Sequence, residues 1–270
     1  RSERNIRNRR YYDMAKDLTT GKITPQLINF TIPLILGNIF QLTYNAVDSI
    51  IVGNFVGKGA LAAVGICNPI TTLFILLLNG LCLGASILMG NQYGAKNYDI
   101  LHRQISTTMI SGTVFSLLLS IICIIFARPL LSLMQVDPQI MDMTVSYLRI
   151  IFAGLLFTYM YNCFASTLRA LGDSKSPLLF LITSSIVNII GDLFFVIVLN
   201  MGSEGCAIST VLSEAISCVL CIIYIQKKVP VLQLGRKWLV FDKSLLKKTV
   251  SYGWASAMQQ ATVQLGKLGI

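Results

Sequence analysis

Residues 184–199 read SSIVNIIGDLFFVIVL, and this stretch indicates both a membrane-spanning helix and a site within it. It is apolar enough to cross a membrane as a helix, yet it carries Asn188 and Asp192 near its middle. A carboxylate in the hydrocarbon region costs about 2.5–3.5 kcal/mol by insertion measurements. The two side chains lie one turn apart on the same helix face. They therefore predict an ion or proton site, with hydrogen bonding between packed helices as the structural alternative.

The composition indicates an all-α, polytopic membrane protein. Hydrophobic residues make up 54% of the chain and charged residues only 13%, whereas a soluble domain is about a quarter charged. Several apolar runs of about 20 residues have the length that a membrane-spanning helix needs. The net charge of +10 could indicate nucleic-acid binding. The basic residues, however, cluster in alternate loops as in membrane proteins, so we expect the lipid bilayer as a partner and no nucleic acid.

The apolar runs and turn signals predict six membrane-spanning helices and the start of a seventh. Arg128-Pro129 is predicted to end the third helix, and Asp137-Pro138 to open the fourth. Pro33 lies inside the first helix, where the missing backbone hydrogen bond favours a kink or hinge. The predicted helices are residues 24–53, 61–93, 105–127, 141–168, 178–199, 206–225 and, for the seventh, 249–270.

Loop charges predict the domain organisation and the orientation. Residues 1–23 form a basic segment, 24–227 a six-helix bundle, 228–248 a basic, amphipathic linker at the membrane surface, and 249–270 the first helix of a second bundle. Eighteen Lys and Arg residues fall in or beside the N-terminal segment, the even-numbered loops and the linker, whereas only Lys58 and Arg128 fall on the opposite side. This asymmetry predicts a cytoplasmic N-terminus in a plasma or inner membrane.

The seventh helix repeats features of the first. At one common offset, Thr249 and Gln259 align with Thr31 and Gln41, and a basic, amphipathic lead-in precedes both segments. Internal repeats are common in transporters. We therefore expect this chain to be one complete bundle plus the first helix of its partner, with the rest of the second bundle missing.

The cysteines predict no redox or metal chemistry. All seven are scattered through apolar segments, where cysteine usually serves as a small core residue. Cys218 and Cys221 form a CxxC pair without a second pair or a nearby histidine, so a zinc site is not expected.

Several motifs resemble the multidrug and toxic compound extrusion (MATE) transporters, in the larger group that includes polysaccharide and lipid flippases. They are IPLILGNIFQLTYNAVDSIIVG in the first helix, ALAAVG at residues 60–65, GNQYGAKN at 90–97, LRALGDSKSP at 168–177 and NIIGDLFFV at 188–196. They occur in the family's order and cover nearly the whole chain from about Met14. The resemblance implies that this chain matches the first of two six-helix bundles that face each other across a cavity, in a twelve-helix transporter.

The resemblance also implies cation-coupled export of amphipathic, often cationic compounds by alternating access. The coupling ion is sodium or a proton, and no other metal or cofactor is expected. In relatives the first bundle holds a cation site built from acids of the first and fifth helices. Asp48, Asn188 and Asp192 match that site by motif, and Thr210 matches by its spacing. Asn162 is a further candidate ligand or cavity residue of the fourth helix, and Pro33 matches the family's bending proline, as a hinge.

Two alternatives remain open. A lipid-linked saccharide flippase would need several basic side chains in its cavity to bind phosphate, and Arg149 is the only candidate expected within a helix of the bundle. An intramembrane enzyme would need clustered His, Cys or paired acids near an interface. The only histidine, His102, lies in a basic predicted loop, and no Walker motif is present. Transport is therefore favoured over catalysis.

Overall fold

The computed structural model describes residues 22–232 and 240–268, and this part of the chain is helical without strands. The helices are α1 (Ile23–Ile51), α2 (Lys58–Gly94), α3 (Tyr98–Leu133), α4a (Pro138–Ala153), α4b (Leu155–Ala170), α5 (Lys175–Asp192), α6 (Gly202–Lys228) and α7 (Lys243–Leu268). A π-helical turn (Val52–Val56) follows α1, a second (Leu193–Val198) follows α5, and a 3-10 turn (Pro230–Leu232) follows α6. The predicted all-α fold is confirmed.

Within the described residues, five helices are long and apolar enough to cross a membrane. They become six when α4a and α4b, which are bent by 43° relative to each other, count as one span. This matches the six predicted helices of the first bundle. The predicted helices were mostly too short, because the polar residues at the ends of the spans continue the helical turns.

Three parts of the predicted organisation lie partly outside the described residues. They are the basic segment, except for its last two residues, residues 233–239 of the linker, and the last two residues of the predicted seventh helix. The seventh helix begins at Lys243, earlier than the predicted residue 249. Lys243, Lys247 and Lys248 therefore belong to its first turns and not to the linker. With these lysines and several polar residues after them, α7 is not among the five helices that meet the length and hydropathy criteria.

The prediction that Arg128-Pro129 ends the third helix is wrong. Pro129 lies inside α3, which continues to Leu133. A proline removes one backbone hydrogen bond from a helix, but burial of Leu131, which is 0% exposed, holds the last turn against the core. The predicted start of the fourth helix is confirmed: the Asp137 side chain accepts a 2.8 Å hydrogen bond from the Gln139 N–H, with Pro138 in the first turn.

The fourth predicted helix is one span with a bend at Gly154, and the sequence did not predict the bend. A Cβ atom at Gly154 would lie 2.5 Å from Cγ2 of Val211 on α6. Glycine therefore lets α6 pack directly against the bend. This contact brings the middle of α6 next to α4b, which positions the site described below.

The bundle is packed around α2, which contacts α3, α4a, α4b and α7. In the core, Phe74 of α2 and Phe152 of α4a form an edge-to-face pair with ring centroids 5.2 Å apart. All seven cysteines are buried and free, in agreement with their predicted role as small core residues. Helix α1 packs mainly along α5. This arrangement leaves polar cavities between α1 and the rest of the bundle.

Candidate functional site

The four predicted coupling residues converge between α1, α5 and α6. Asp48 comes from α1, Asn188 and Asp192 from α5, and Thr210 from α6. The carboxyl groups of Asp48 and Asp192 are direct neighbours. Asp192 is 0% exposed and Asn188 1%, whereas Asp48 and Thr210 are half-buried. The predicted one-turn spacing on α5 therefore does place both side chains on its buried face.

A hydrogen-bond network joins α5 to α6 beside this pair. The Asn188 amide nitrogen donates to Oγ of Ser209 at 3.3 Å and to Oγ1 of Thr210 at 3.4 Å. Ser209 in turn donates to the Asn188 backbone carbonyl at 2.7 Å, and Thr210 donates to the Cys206 carbonyl at 3.0 Å. Because the amide nitrogen of Asn188 donates to these two hydroxyl groups, its amide oxygen lies on the opposite side of the amide group. Ser209, which was not predicted, therefore sets the orientation of a predicted ligand.

Four buried oxygen atoms at this site accept no hydrogen bond from the described residues. They are Oδ1 of Asp48, Oδ1 of Asn188 and both carboxylate oxygens of Asp192. A buried polar atom without a partner costs about 1–3 kcal/mol, and more when it is charged. Two neighbouring carboxylates also repel each other unless they share a proton or bind a cation between them. The donor set therefore fits a proton or a monovalent, oxygen-seeking cation such as sodium.

Two adjoining cavities of about 450 Å³ and 630 Å³ lie beside the carboxyl pair and share part of their walls. Asp48 lines the larger cavity, Asn188 lines the smaller one, and Thr210 lines both. Asp192 is not among the residues that line either. Three of the predicted coupling residues, Asp48, Asn188 and Thr210, thus lie between the fully buried Asp192 carboxylate and the polar cavities.

Asn162 and Pro33 both line the smaller cavity. The Asn162 amide nitrogen donates to the Thr158 backbone carbonyl at 2.8 Å. Among the described residues, no hydrogen bond joins Asn162 to the carboxyl pair, and the structure places Asn162 in the cavity wall. Pro33 lies inside α1 and is buried, at a position where bending of α1 would move Asp48.

One acid that lines the cavities was not predicted. Glu214 of α6 lines both cavities, and its Oε2 accepts a 2.5 Å hydrogen bond from Oγ1 of Thr158 on α4b. The sequence did carry a signal, because Glu214 is an acid within the sixth apolar span, one helical turn after Thr210. Its partner Thr158 could not be inferred, because their contact depends on how α4b packs against α6.

Arg149, the basic residue considered for the cavity, does not line it. Arg149 is exposed, and its Nε donates to the Ile124 carbonyl of α3 at 3.3 Å. Arg169, which was assigned to a loop, lies in the last turn of α4b and lines the smaller cavity. Its Nε is buried without a hydrogen-bond partner among the described residues. The loop is shorter than predicted, so this arginine faces the cavity interior.

The chain matches one family model and several curated proteins. The MatE family model matches residues 33–194. Probable multidrug resistance protein YoeA of Bacillus subtilis (strain 168) is 32% identical over 250 residues, with 89% of this chain and 54% of that protein covered. Multidrug export protein MepA of Staphylococcus haemolyticus (strain JCSC1435) is 22% identical, with 86% and 52% covered. The chain thus spans about half the length of the curated relatives it matches.

Solved structures show the same fold. A multidrug resistance MATE family transporter of the MOP superfamily in an outward-facing conformation has a TM-score of 0.86 at 22% identity, with 96% of this chain and 56% of that chain covered. An inward-facing structure with the same description has a TM-score of 0.75 at 23% identity, with 86% and 53% covered. Because the family model covers more than half of these 270 residues, the chain belongs to the MatE family.

Proposed function

We propose that this chain forms the first bundle of a cation-coupled multidrug exporter in a bacterial cell membrane. The observation that carries the proposal is the neighbouring pair Asp48 and Asp192 beside a polar cavity. Three of their four carboxyl oxygens are buried without a hydrogen-bond partner among the described residues. Acids at membrane depth are costly and usually mark ion or proton pathways. The names of the relatives YoeA and MepA describe multidrug resistance and export. The acid pair and the names of these relatives together favour ion-driven export over catalysis.

In this proposal, the coupling ion is held by the carboxylates of Asp48 and Asp192, the amide oxygen of Asn188 and the hydroxyl of Thr210. Sodium requires several oxygen ligands, and this set supplies carboxylate, amide and hydroxyl oxygens. A proton would instead be shared between the two acids, which relieves their repulsion. In either case the bound ion supplies positive charge that reduces the cost of placing two carboxylates side by side in the bundle.

The pair is placed so that ion binding can act on the cavity. Asp48 belongs to α1, which forms one wall of both cavities, whereas Asp192 belongs to α5. Binding an ion between them favours one position of α1 relative to α5, and Pro33 is the hinge at which α1 bends. A ligand shifts such an equilibrium only by its difference in affinity for the two states. Alternating access then requires that the ion bind more tightly in one state of α1 than in the other.

The flippase alternative is less well supported. Arg169 gives the smaller cavity one basic side chain that could bind a phosphate. Glu214 lines the same cavity and would repel that phosphate. A cavity with one arginine and one glutamate suits an amphipathic compound better than a lipid-linked pyrophosphate.

The experiment uses the transporter in which this chain is joined to a second bundle, reconstituted into liposomes. Export of a fluorescent amphipathic dye is recorded under an imposed sodium gradient, an imposed proton gradient, or neither. The proposal expects dye export with one gradient and its loss when an ionophore dissipates that gradient. Equal export in the absence of any gradient would refute ion coupling.

A further inference from the structure

Glu214 is a carboxylate that the coupling site does not use. It lies on α6 and faces the region that both cavities share, together with Tyr44 and Thr158. Thr158 fixes one carboxylate oxygen through a 2.5 Å hydrogen bond, so the side chain is held toward the shared region and not toward Asp192. Glu214 is half-buried, in contrast to Asp192, which is fully buried. A molecule in the cavity can therefore reach Glu214 without displacing the coupling pair.

The surroundings of Glu214 suit an organic cation. The rings of Tyr44 and Tyr161 line the cavity beside it, and the side chains of Ile75 and Leu178 add apolar wall. An aromatic face attracts an organic cation, by about 0.5–1 kcal/mol when exposed and about 2 kcal/mol or more when desolvated. A carboxylate with neighbouring aromatic and aliphatic surface thus matches both the charge and the apolar body of an amphipathic cation.

The other charged and titratable groups at the cavities limit where the cation can bind. Asp48 lines the larger cavity, and Tyr44 lies near both Asp48 and Glu214. Arg169 lines only the smaller cavity and repels a cation there. The position favoured for a positive group is therefore the shared region in front of Glu214, between Thr158 and Tyr44.

We propose that Glu214 is the specificity-determining residue that binds the positive group of amphipathic substrates, through its Thr158-oriented carboxylate and the flanking tyrosine rings. This inference rests on the proposed export function and names the substrate class of that cavity. Charge selection by Glu214 is separate from ion coupling by Asp48 and Asp192. Loss of the Glu214 charge should therefore remove the preference for cations and leave coupling intact.

The test compares a cationic and a neutral aromatic probe on the purified full-length transporter. Ethidium carries a permanent positive charge, and N-phenyl-1-naphthylamine is uncharged at neutral pH. The variant is Glu214→Gln, whose amide oxygen can still accept the hydrogen bond from Thr158. The matched control is Glu204→Gln, which changes an acid in the first turn of the same helix, away from the residues that line the two cavities. Dissociation constants are measured by fluorescence in detergent, and export of both probes is measured in liposomes.

We expect Glu214→Gln to raise the ethidium Kd about tenfold or more, because a charge-assisted contact is lost. The Kd of the neutral probe and its export should stay within about twofold, and Glu204→Gln should bind both probes like the parent protein. An unchanged ethidium Kd, equal weakening of both probes, or no ethidium binding by the parent protein would overturn the proposal. If ethidium binding depends on Glu214 but no gradient drives export, the export function fails and the binding site stands.

Discussion

The carboxyl groups of Asp48 and Asp192 are neighbours, and each acid lies within one turn of a π-helical turn. The two π-helical turns, Val52–Val56 and Leu193–Val198, contact each other. Such turns are rare and occur frequently at functional sites. Here they end both acid-bearing helices on the same side of the pair. The contact ties the geometry of the acid pair to the relative position of α1 and α5.

Gly191→Ala should disturb the network between α5 and α6. A Cβ atom at this position would lie 2.5 Å from Oγ of Ser209. We expect a loss of about 1–3 kcal/mol in the free energy of unfolding, because α5 and α6 must move apart. Thermal unfolding in detergent measures this loss.

Ser209→Ala should partly rescue the Gly191→Ala variant, because it removes the clashing oxygen. A double-mutant cycle gives the interaction energy between the two positions. Fully additive losses would show that this contact does not limit how closely the two helices approach.

Gly84→Ala should weaken the packing of α7 on α2. Gly84 faces Gly253 so closely that a Cβ atom would meet the backbone of α7, including the Thr249 carbonyl at 2.6 Å. Overpacking of this kind costs about 1–3 kcal/mol. The matched control is Gly65→Ala on the same helix, where no atom lies within 4 Å of the added Cβ. Thermal unfolding should show a lower Tm for the first variant only; equal behaviour of the two would contradict this packing.

Asn188→Ala should weaken cation binding without abolishing it. The change removes one of the four unpartnered oxygens but keeps both carboxylates. A hydrogen bond or ligand contact to a charged group contributes about 1.5–3 kcal/mol, which corresponds to about tenfold or more in Kd. A sodium titration of the Tm measures the shift. Asn79→Ala is the control, since Asn79 also lines the smaller cavity but is not one of the predicted coupling residues. Sodium affinity that falls equally in both variants would show that the Asn188 oxygen is not a specific ligand of the ion.

The predicted topology is tested by labelling single cysteines. Lys58 and Lys175 are exposed at opposite predicted ends of the spans. In a background without the seven native cysteines, Lys58→Cys should react with an impermeant maleimide added outside intact cells. Lys175→Cys should react only after the membrane is opened. The reverse pattern would overturn the predicted cytoplasmic N-terminus.

The sequence was sufficient for the number and order of the helices, though not for their ends, and for the four residues that converge. Asp48, Asn188, Asp192 and Thr210 were predictable because polar groups in apolar spans are costly, and because the resemblance assigned them to one site. The buried oxygens of three of them now support that prediction geometrically. Sodium and proton coupling require the same acids, so the residues alone do not distinguish between them.

The remaining features of the site depend on tertiary packing that no local sequence pattern encodes. The contact between Thr158 and Glu214 exists because the span bends at Gly154 and Val211 packs into the bend. The π-helical turns have no sequence signature comparable to a proline or a cap. Arg169 was assigned to a loop because the basic residue precedes a glycine turn, whereas the helix continues one residue beyond it.

The Asp192→Asn variant of the full-length transporter tests whether Asp192 couples ion movement to export. This variant keeps the shape and hydrogen-bonding capacity of the side chain and removes its charge. The control is Asp142→Asn, which removes an exposed acid paired with Arg128 at 3.1 Å and should change little. Without cation, the stability of Asp192→Asn should match or exceed that of the parent protein, since a buried charge is relieved.

The decisive measurement is gradient-driven export by Asp192→Asn, together with its cation-induced increase in Tm. We predict that export falls to background and that the increase in Tm is largely lost, while ethidium binding at Glu214 persists. Normal export with unchanged cation dependence would show that Asp192 is a structural acid and not a coupling residue.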